Sequence, residues 1–241
     1  MMTPPTAFIL PSRVYNISEW STSLSPLLLV SDTPAELVTF GITFAQHSLR
    51  NGRYVLITNQ DRVSFTSSLT SMLLTSVSSP LTSAPSILAS DCITTYHVET
   101  LAQLRVLLST LQHSKVDFLG IDNFISLHEV AAELSAQGIS RTLAAMINVT
   151  SSSKGVLVLR ESRQSIERFV PILNSGVSGG LSHATVPVTC ILGRWIRGFW
   201  YQESNGDGDC SAEWVCKGEK WQIRWTLHDG QVNDIQEIST G

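Results

Sequence analysis

The sequence predicts an α/β domain with a mostly parallel central sheet flanked by helices and antiparallel strands at its C-terminal end. Three observations carry that expectation. Short continuous apolar runs stand at 27–30 (LLLV), 54–58 (YVLIT), 116–122 (VDFLGID) and 155–160 (GVLVLR), the pattern of strands buried on both faces. Segments of helical spacing separate them, so the connections are crossovers and the strands run parallel. Beyond residue 185 the pattern changes to alternation, punctuated by the turn signals GDG at 206–208 and HDG at 228–230.

Taken in order, residues 1–23 read as an arm, because Pro4, Pro5 and Pro11 interrupt any regular element. Phe8, Ile9, Leu10 and Trp20 could pin it to the chain's own body or to a partner. A single domain then occupies 24–241. After the first strand, Thr33 suits a helix N-cap, Pro34 the first helical position and Glu36 the third, which together make a capping box. That helix carries Leu37, Phe40, Gly41, Phe44 and Ser48 on one face and stops near Asn51-Gly52. A second strand follows, completing a βαβ unit. A helix is expected over 64–76, then a loop. A strand is expected over 92–98 and a helix over 100–112, where Leu101, Leu104, Leu107, Leu108 and Leu111 recur at helical spacing. The strand ending at Asp122 leads to a long helix over 127–149, with Gly138 as its expected break. After the strand at 155–160, residues 161–185 read as a flexible loop. Strands are expected at 186–193, 197–202, 221–227 and 231–235.

Composition narrows the function classes. Of 241 residues, 43% are hydrophobic and only 15% charged, against roughly 25% charged in ordinary soluble domains. The chain can bury a large core but has little charge to cover its outside, which suggests a partner surface. A net charge of −4 excludes a global electrostatic grip on nucleic acid, though not a local basic patch. No apolar run approaches the ~20 residues of a spanning helix. The start of the chain lacks the basic, apolar pattern of a secretory leader. Four separated cysteines without a CxxC pair indicate neither a zinc site nor a disulfide scaffold and suit a reducing compartment. The six histidines are scattered, and no GxSxG elbow is present.

In βαβ proteins ligands bind at the carboxyl ends of strands, where the first helix begins. A phosphate-cradling loop there needs glycines, a lysine and a Ser/Thr for magnesium. Here the position holds Ser31, Asp32, Thr33, Pro34, Ala35, Glu36, Leu37 and Val38. Leu37 replaces the lysine and Val38 the hydroxyl. Pro34 removes an N–H donor, and two carboxylates stand where phosphate would sit. Nucleotide hydrolysis is therefore not expected, nor is any cofactor. The 116–124 segment resembles a Walker B strand, in which Asp122 would hold magnesium through water. Without the phosphate loop, Asp122 and Asn123 read instead as a turn cap at a strand end. In and before the 161–185 loop, Lys154, Arg160, Arg163 and Arg168 outnumber Glu161 and Glu167, and the loop reads equally as a solvated connection or as one that follows a phosphate backbone. In the tail, Trp195, Trp200, Trp214, Trp221 and Trp225 interleave with Arg194, Arg197, Lys217, Lys220 and Arg224. Core or partner surface is the preferred reading of these tryptophans over base stacking.

Residues 24–236 together resemble the RecA-type, P-loop-type core of the recombinase superfamily, with degenerate nucleotide motifs. The stretches LLLVSDTPAELVTFGITFAQHSLRNGRYVLITNQ and VPVTCILGRWIRGFWYQ are most similar to the small recombinase paralogues of Shu-type complexes. That resemblance implies a non-catalytic nuclear subunit in homologous-recombination repair. Its partners would be another RecA-like paralogue, a SWIM-type protein, the recombinase and, weakly, single-stranded DNA; no membrane is implied. It also makes 161–185 the DNA-contacting loop, with Arg163 and Arg168 as first candidates and Arg194 and Arg197 as second. The alternative resemblance is to Elongator accessory subunits, RecA-like ring proteins of tRNA wobble-uridine modification, which would place the chain in the cytoplasm.

Overall fold

The computed structural model describes residues 25–31, 37–38, 41, 53–60, 62–63, 65, 67, 93–173, 184–204, 209–216, 219–228 and 231–239. The expected arm, the capping box from Thr33 to Glu36, and most of the helices begun at Leu37 and near residue 64 lie outside them.

The strands are β1 (Leu27–Val30), β2 (Tyr54–Thr58), β3 (Ile93–His97), β4 (Phe118–Asp122), β5 (Val156–Glu161), β6 (Phe169–Pro171), β7 (Thr185–Pro187), β8 (Gly198–Ser204), β9 (Asp209–Cys216), β10 (Glu219–His228) and β11 (Gln231–Ser239). The described helices are α1 (Leu101–Leu111), α2 (Phe124–Val130), α3 (Ala136–Ser151), α4 (Arg163–Ile166) and α5 (Val188–Leu192). One sheet of nine strands has the order β11-β10-β9-β8-β1-β5-β4-β2-β3, and β6 pairs with β7 separately. From β8 to β3 the six strands are parallel. Strands β9, β10 and β11 then extend the sheet antiparallel from β8. This is the expected α/β architecture, a mostly parallel sheet followed by antiparallel strands.

The apolar runs form central strands because both of their faces find cover. Leu28, Val30, Val55, Ile57, Leu119, Ile121, Leu157 and Leu159 alternate onto one face. There they meet the buried leucines of α1, Leu143 and Met146 of α3, and Ile191 and Leu192 of α5. Leu27, Leu29, Leu56, Phe118 and Val158 occupy the other face and are equally buried. Leu37 and Gly41, both helical, pack there: a methyl on Gly120 would lie 2.6 Å from Leu56 and 3.2 Å from Leu37. These helical residues of the first crossover therefore lie on the face opposite α1 and α3, so both faces of the sheet find cover. Among the described residues no helix is long and apolar enough to cross a membrane.

Four expectations are corrected. The 127–149 helix is two helices, and its break is at 131–135 rather than at Gly138. Ala132 turns the chain with a left-handed backbone (φ 54°), and Ser135 restarts it as the α3 N-cap, its hydroxyl accepting from the Gly138 N–H. The 161–185 loop contains α4 and β6 and leads into β7; residues 174–183 lie outside the described residues. The strand expected at 186–193 is short β7 followed by α5, because Pro187 sets the N-cap and the apolar side chains of Val188, Ile191 and Leu192 fall on one helical face. Strand β9 was not expected. Its DCSAEWVC sequence alternates polar and apolar residues from Asp209 to Trp214, a strand signal with small side chains at Cys210 and Ala212, and it supplies the antiparallel link between β8 and β10.

Candidate functional site

Parallel strands of one sheet end on the same side, and here β1, β5, β4 and β2 bring Ser31, Arg160, Glu161, Asp122, Asn123, Thr58 and Asn59 to one edge. Arg160 organises this cluster. Its guanidinium lies 3.1 Å from the Asp122 carboxylate and donates at 2.6 Å to the Ser31 carbonyl. The Thr58 hydroxyl donates to the other Asp122 oxygen at 3.0 Å. Asp122 and Arg160 are almost wholly buried. Burial pushes the Asp122 carboxyl upward, while the Arg160 charge and the Thr58 and Arg160 hydrogen bonds pull it back.

Glu161 follows on the same strand and has no exposed surface. Its Oε1 accepts from the Ile125 N–H at 3.1 Å, at the start of α2. Burial, reinforced by the Asp122 charge, pushes its carboxyl up to about 8. The guanidinium is thus paired with Asp122, while the neighbouring Glu161 carboxyl, raised to about 8, favours its protonated form at neutral pH. Asn123 turns the chain between β4 and α2 in the left-handed region (φ 51°), which asparagine tolerates better than most residues. Its N–H donates to the Arg160 carbonyl at 2.8 Å, and its own carbonyl accepts from Ser126 at 2.8 Å and from Asn59 at 3.3 Å.

The expected turn cap at Asp122-Asn123 is thus half right. Asn123 makes the turn with its backbone and makes no side-chain cap bond, whereas Asp122 is a buried ion-pair partner. Leu37 and Val38, at the lysine and hydroxyl positions of a phosphate loop, are wholly buried core side chains. Ser31 is buried, with its N–H donating to the Glu161 carbonyl at 3.0 Å. Asp32, Thr33, Pro34 and Glu36 lie outside the described residues. Arg160, expected among the loop cations, is instead the central residue of the cluster, together with Glu161. The available signal was an apolar strand ending in Arg-Glu, whose neighbour in the sheet ends in Asp.

The four candidate DNA-contacting arginines do not form one surface. Arg163 and Arg168 follow β5 on the carboxyl side of the sheet, where Arg163 is exposed and Arg168 is ion-paired with Glu129. Arg194 and Arg197 precede β8 and so lie on the opposite, amino side, both exposed. Trp200 is a core residue at the register position of Leu29, which removes it from base stacking, and Trp195 packs half-buried against the core. Trp200, Trp214 and Trp221 occupy one cross-strand row by register.

Chemically, the described residues of the carboxyl edge form a buried polar cluster centred on the Arg160–Asp122 pair. The space beside the acidic strand end, where a hydrated cation would approach Asp122, is occupied by a fixed guanidinium. A search of curated proteins finds no match. A protein-family model covers nearly all of the sequence, residues 24–240, and by that match the chain belongs to the SPAC22G7.03-like family.

Proposed function

We propose that this chain is a non-catalytic, RecA-like recombinase paralogue. It acts as a subunit of a Shu-type nuclear complex that promotes recombinase filament assembly on single-stranded DNA during homologous-recombination repair. The observation that carries the non-catalytic part is the Arg160–Asp122 pair with its bond to the Ser31 carbonyl. In a working site the first strand's end and the acidic strand's end would flank a nucleotide and its magnesium. Here one buried guanidinium spans them, and the position that would carry the phosphate-binding lysine is a core leucine. The order of parts supports the RecA-like reading: a buried opening strand, a crossover, an acidic strand end and antiparallel C-terminal strands. The charge-poor composition supports a subunit role, since a partner would cover what charge does not.

The test is affinity purification of the tagged chain from its own cells, followed by mass spectrometry. Recovery of a SWIM-type zinc protein with a second RecA-like paralogue is the expected outcome. Recovery of two ring-forming RecA-like subunits, with loss of wobble-uridine modification on deletion, would replace this reading with the Elongator-type one.

A further inference from the structure

The amino ends of the parallel strands carry a row of cations that joins Arg194 and Arg197, the second pair of candidate arginines, to Lys154 and to two cations outside the earlier readings, Arg53 and Lys115. Arg53 precedes β2, Lys115 precedes β4, Lys154 precedes β5, and Arg194 and Arg197 precede β8. Hydrogen bonds from backbone N–H groups stitch these starts into one continuous edge. The Asp117 N–H donates to the Arg53 carbonyl at 3.0 Å, and the Val156 N–H to the Asp117 carbonyl at 2.9 Å. The Leu157 N–H donates to the Ser25 hydroxyl at 2.9 Å, and the Arg197 N–H to the Pro26 carbonyl at 2.9 Å. From β2 to β8 is four strand spacings, a row on the order of 20 Å long. Lys115, Lys154, Arg194 and Arg197 are exposed and Arg53 is half-buried.

The acid among the described residues of this edge between β2 and β8 is Asp117. It is buried, accepts the Arg53 N–H, and stands 4.0 Å from Lys115. On the carboxyl side, Arg160 and Arg168 are each ion-paired with a carboxylate and Arg163 is exposed. A chain of net charge −4 has thus collected cations on one edge.

We propose that this amino-side row is a binding surface for the phosphate backbone of single-stranded nucleic acid, lying across the sheet from the 161–185 segment. The row suits a polyanion that makes many similar contacts. Backbone binding is sequence-independent and is carried largely by point charges. An acidic protein would also need buried apolar anchors. Among the described residues, the exposed large apolar side chains, Val63, Val106, Val130, Phe169 and Leu173, lie elsewhere. Lys115 and Lys154 also follow the carboxyl ends of α1 and α3, where cations favour the helix by ~0.3–1 kcal/mol, so the test reads binding and stability separately. This inference rests on the nucleic-acid part of the proposed function and changes where the strand is held.

The test uses the full chain and a fluorescein-labelled 30-nucleotide oligo-dT, with anisotropy read across a salt series. Two variants are compared with the wild type: the amino-side triple K115Q/K154Q/R194Q and the carboxyl-side double R163Q/R168Q, each checked by circular dichroism and thermal unfolding. The triple variant is expected to stay folded and lose affinity by about tenfold or more. The slope of log affinity against log salt should drop by about two, as removal of three phosphate contacts from a single strand predicts. The double variant is expected to bind like the wild type. Loss confined to the double variant would overturn the amino-side surface while leaving the proposed function standing. Absence of wild-type binding at 25 mM salt, or equal binding by the triple variant, would also overturn it. So would polyglutamate binding as tightly as the oligonucleotide, since that would identify an acidic-protein surface.

Discussion

Arg160 and Asp122 are held by each other more than by water, and that makes them interdependent. A buried pair contributes little net stability, because desolvation offsets the attraction, but removing one partner leaves an uncompensated charge. Arg160→Met should therefore destabilise the fold by about 3–5 kcal/mol in urea denaturation. Arg160→Met with Asp122→Leu should recover most of that loss; equal losses in the single and double variants would show that the pair is not coupled. Glu161 gives a pH signature. Its folded carboxyl is raised to about 8, so above the unfolded value near 4.5 folding must take up a proton. Its stabilising share is complete below about pH 4.5 and is lost as pH rises toward 8. Glu161→Gln keeps the acceptor for Ile125 and removes the titration. Its stability relative to wild type should rise by a few kcal/mol between pH 5 and pH 8; parallel pH profiles would contradict this. At this scale the sequence was least informative. Arg160 and Asp122 are 38 positions apart, and only the sheet order β5-β4 reveals that a loop-like arginine and a Walker-like aspartate neutralise each other.

At the scale of elements, periodicity and caps were readable wherever one residue pattern had one structural outcome. The α1 leucines recur every three or four residues, and the helix forms between Thr100 and Gln112 as expected, with a Thr100–Gln103 capping box. The buried strands were equally clear, since an apolar run bounded by turns has few other uses. The 127–149 segment was misjudged because Gly138 looked like a breaker, whereas its role is close approach. A methyl there would lie 2.6 Å from the Glu133 carbonyl and 3.1 Å from the Ser135 hydroxyl. An exposed helical glycine normally gains about 1 kcal/mol on replacement by alanine. Gly138→Ala should instead lose about 1–3 kcal/mol, because the α2–α3 turn must open to admit the methyl. A thermal midpoint at or above wild type would show that the turn is not tight.

Over the whole molecule, the sheet separates two chemistries that the linear sequence interleaves. The carboxyl edge holds a buried ion pair and a buried glutamate with a raised carboxyl; the amino edge gathers exposed cations. The fold class followed from the order of patterns along the chain, parallel runs first and antiparallel strands last. The placement of Arg163 and Arg194 on opposite sides did not, because it depends on which strand end each residue borders.

The central claim is that the nucleotide position is filled by the protein's own side chains. Calorimetric titration of the purified chain with magnesium-ATP, with released phosphate assayed in parallel, tests it most directly. No saturable binding and no phosphate release up to millimolar nucleotide is the predicted result. Saturable binding with turnover that Asp122→Asn abolishes would contradict it.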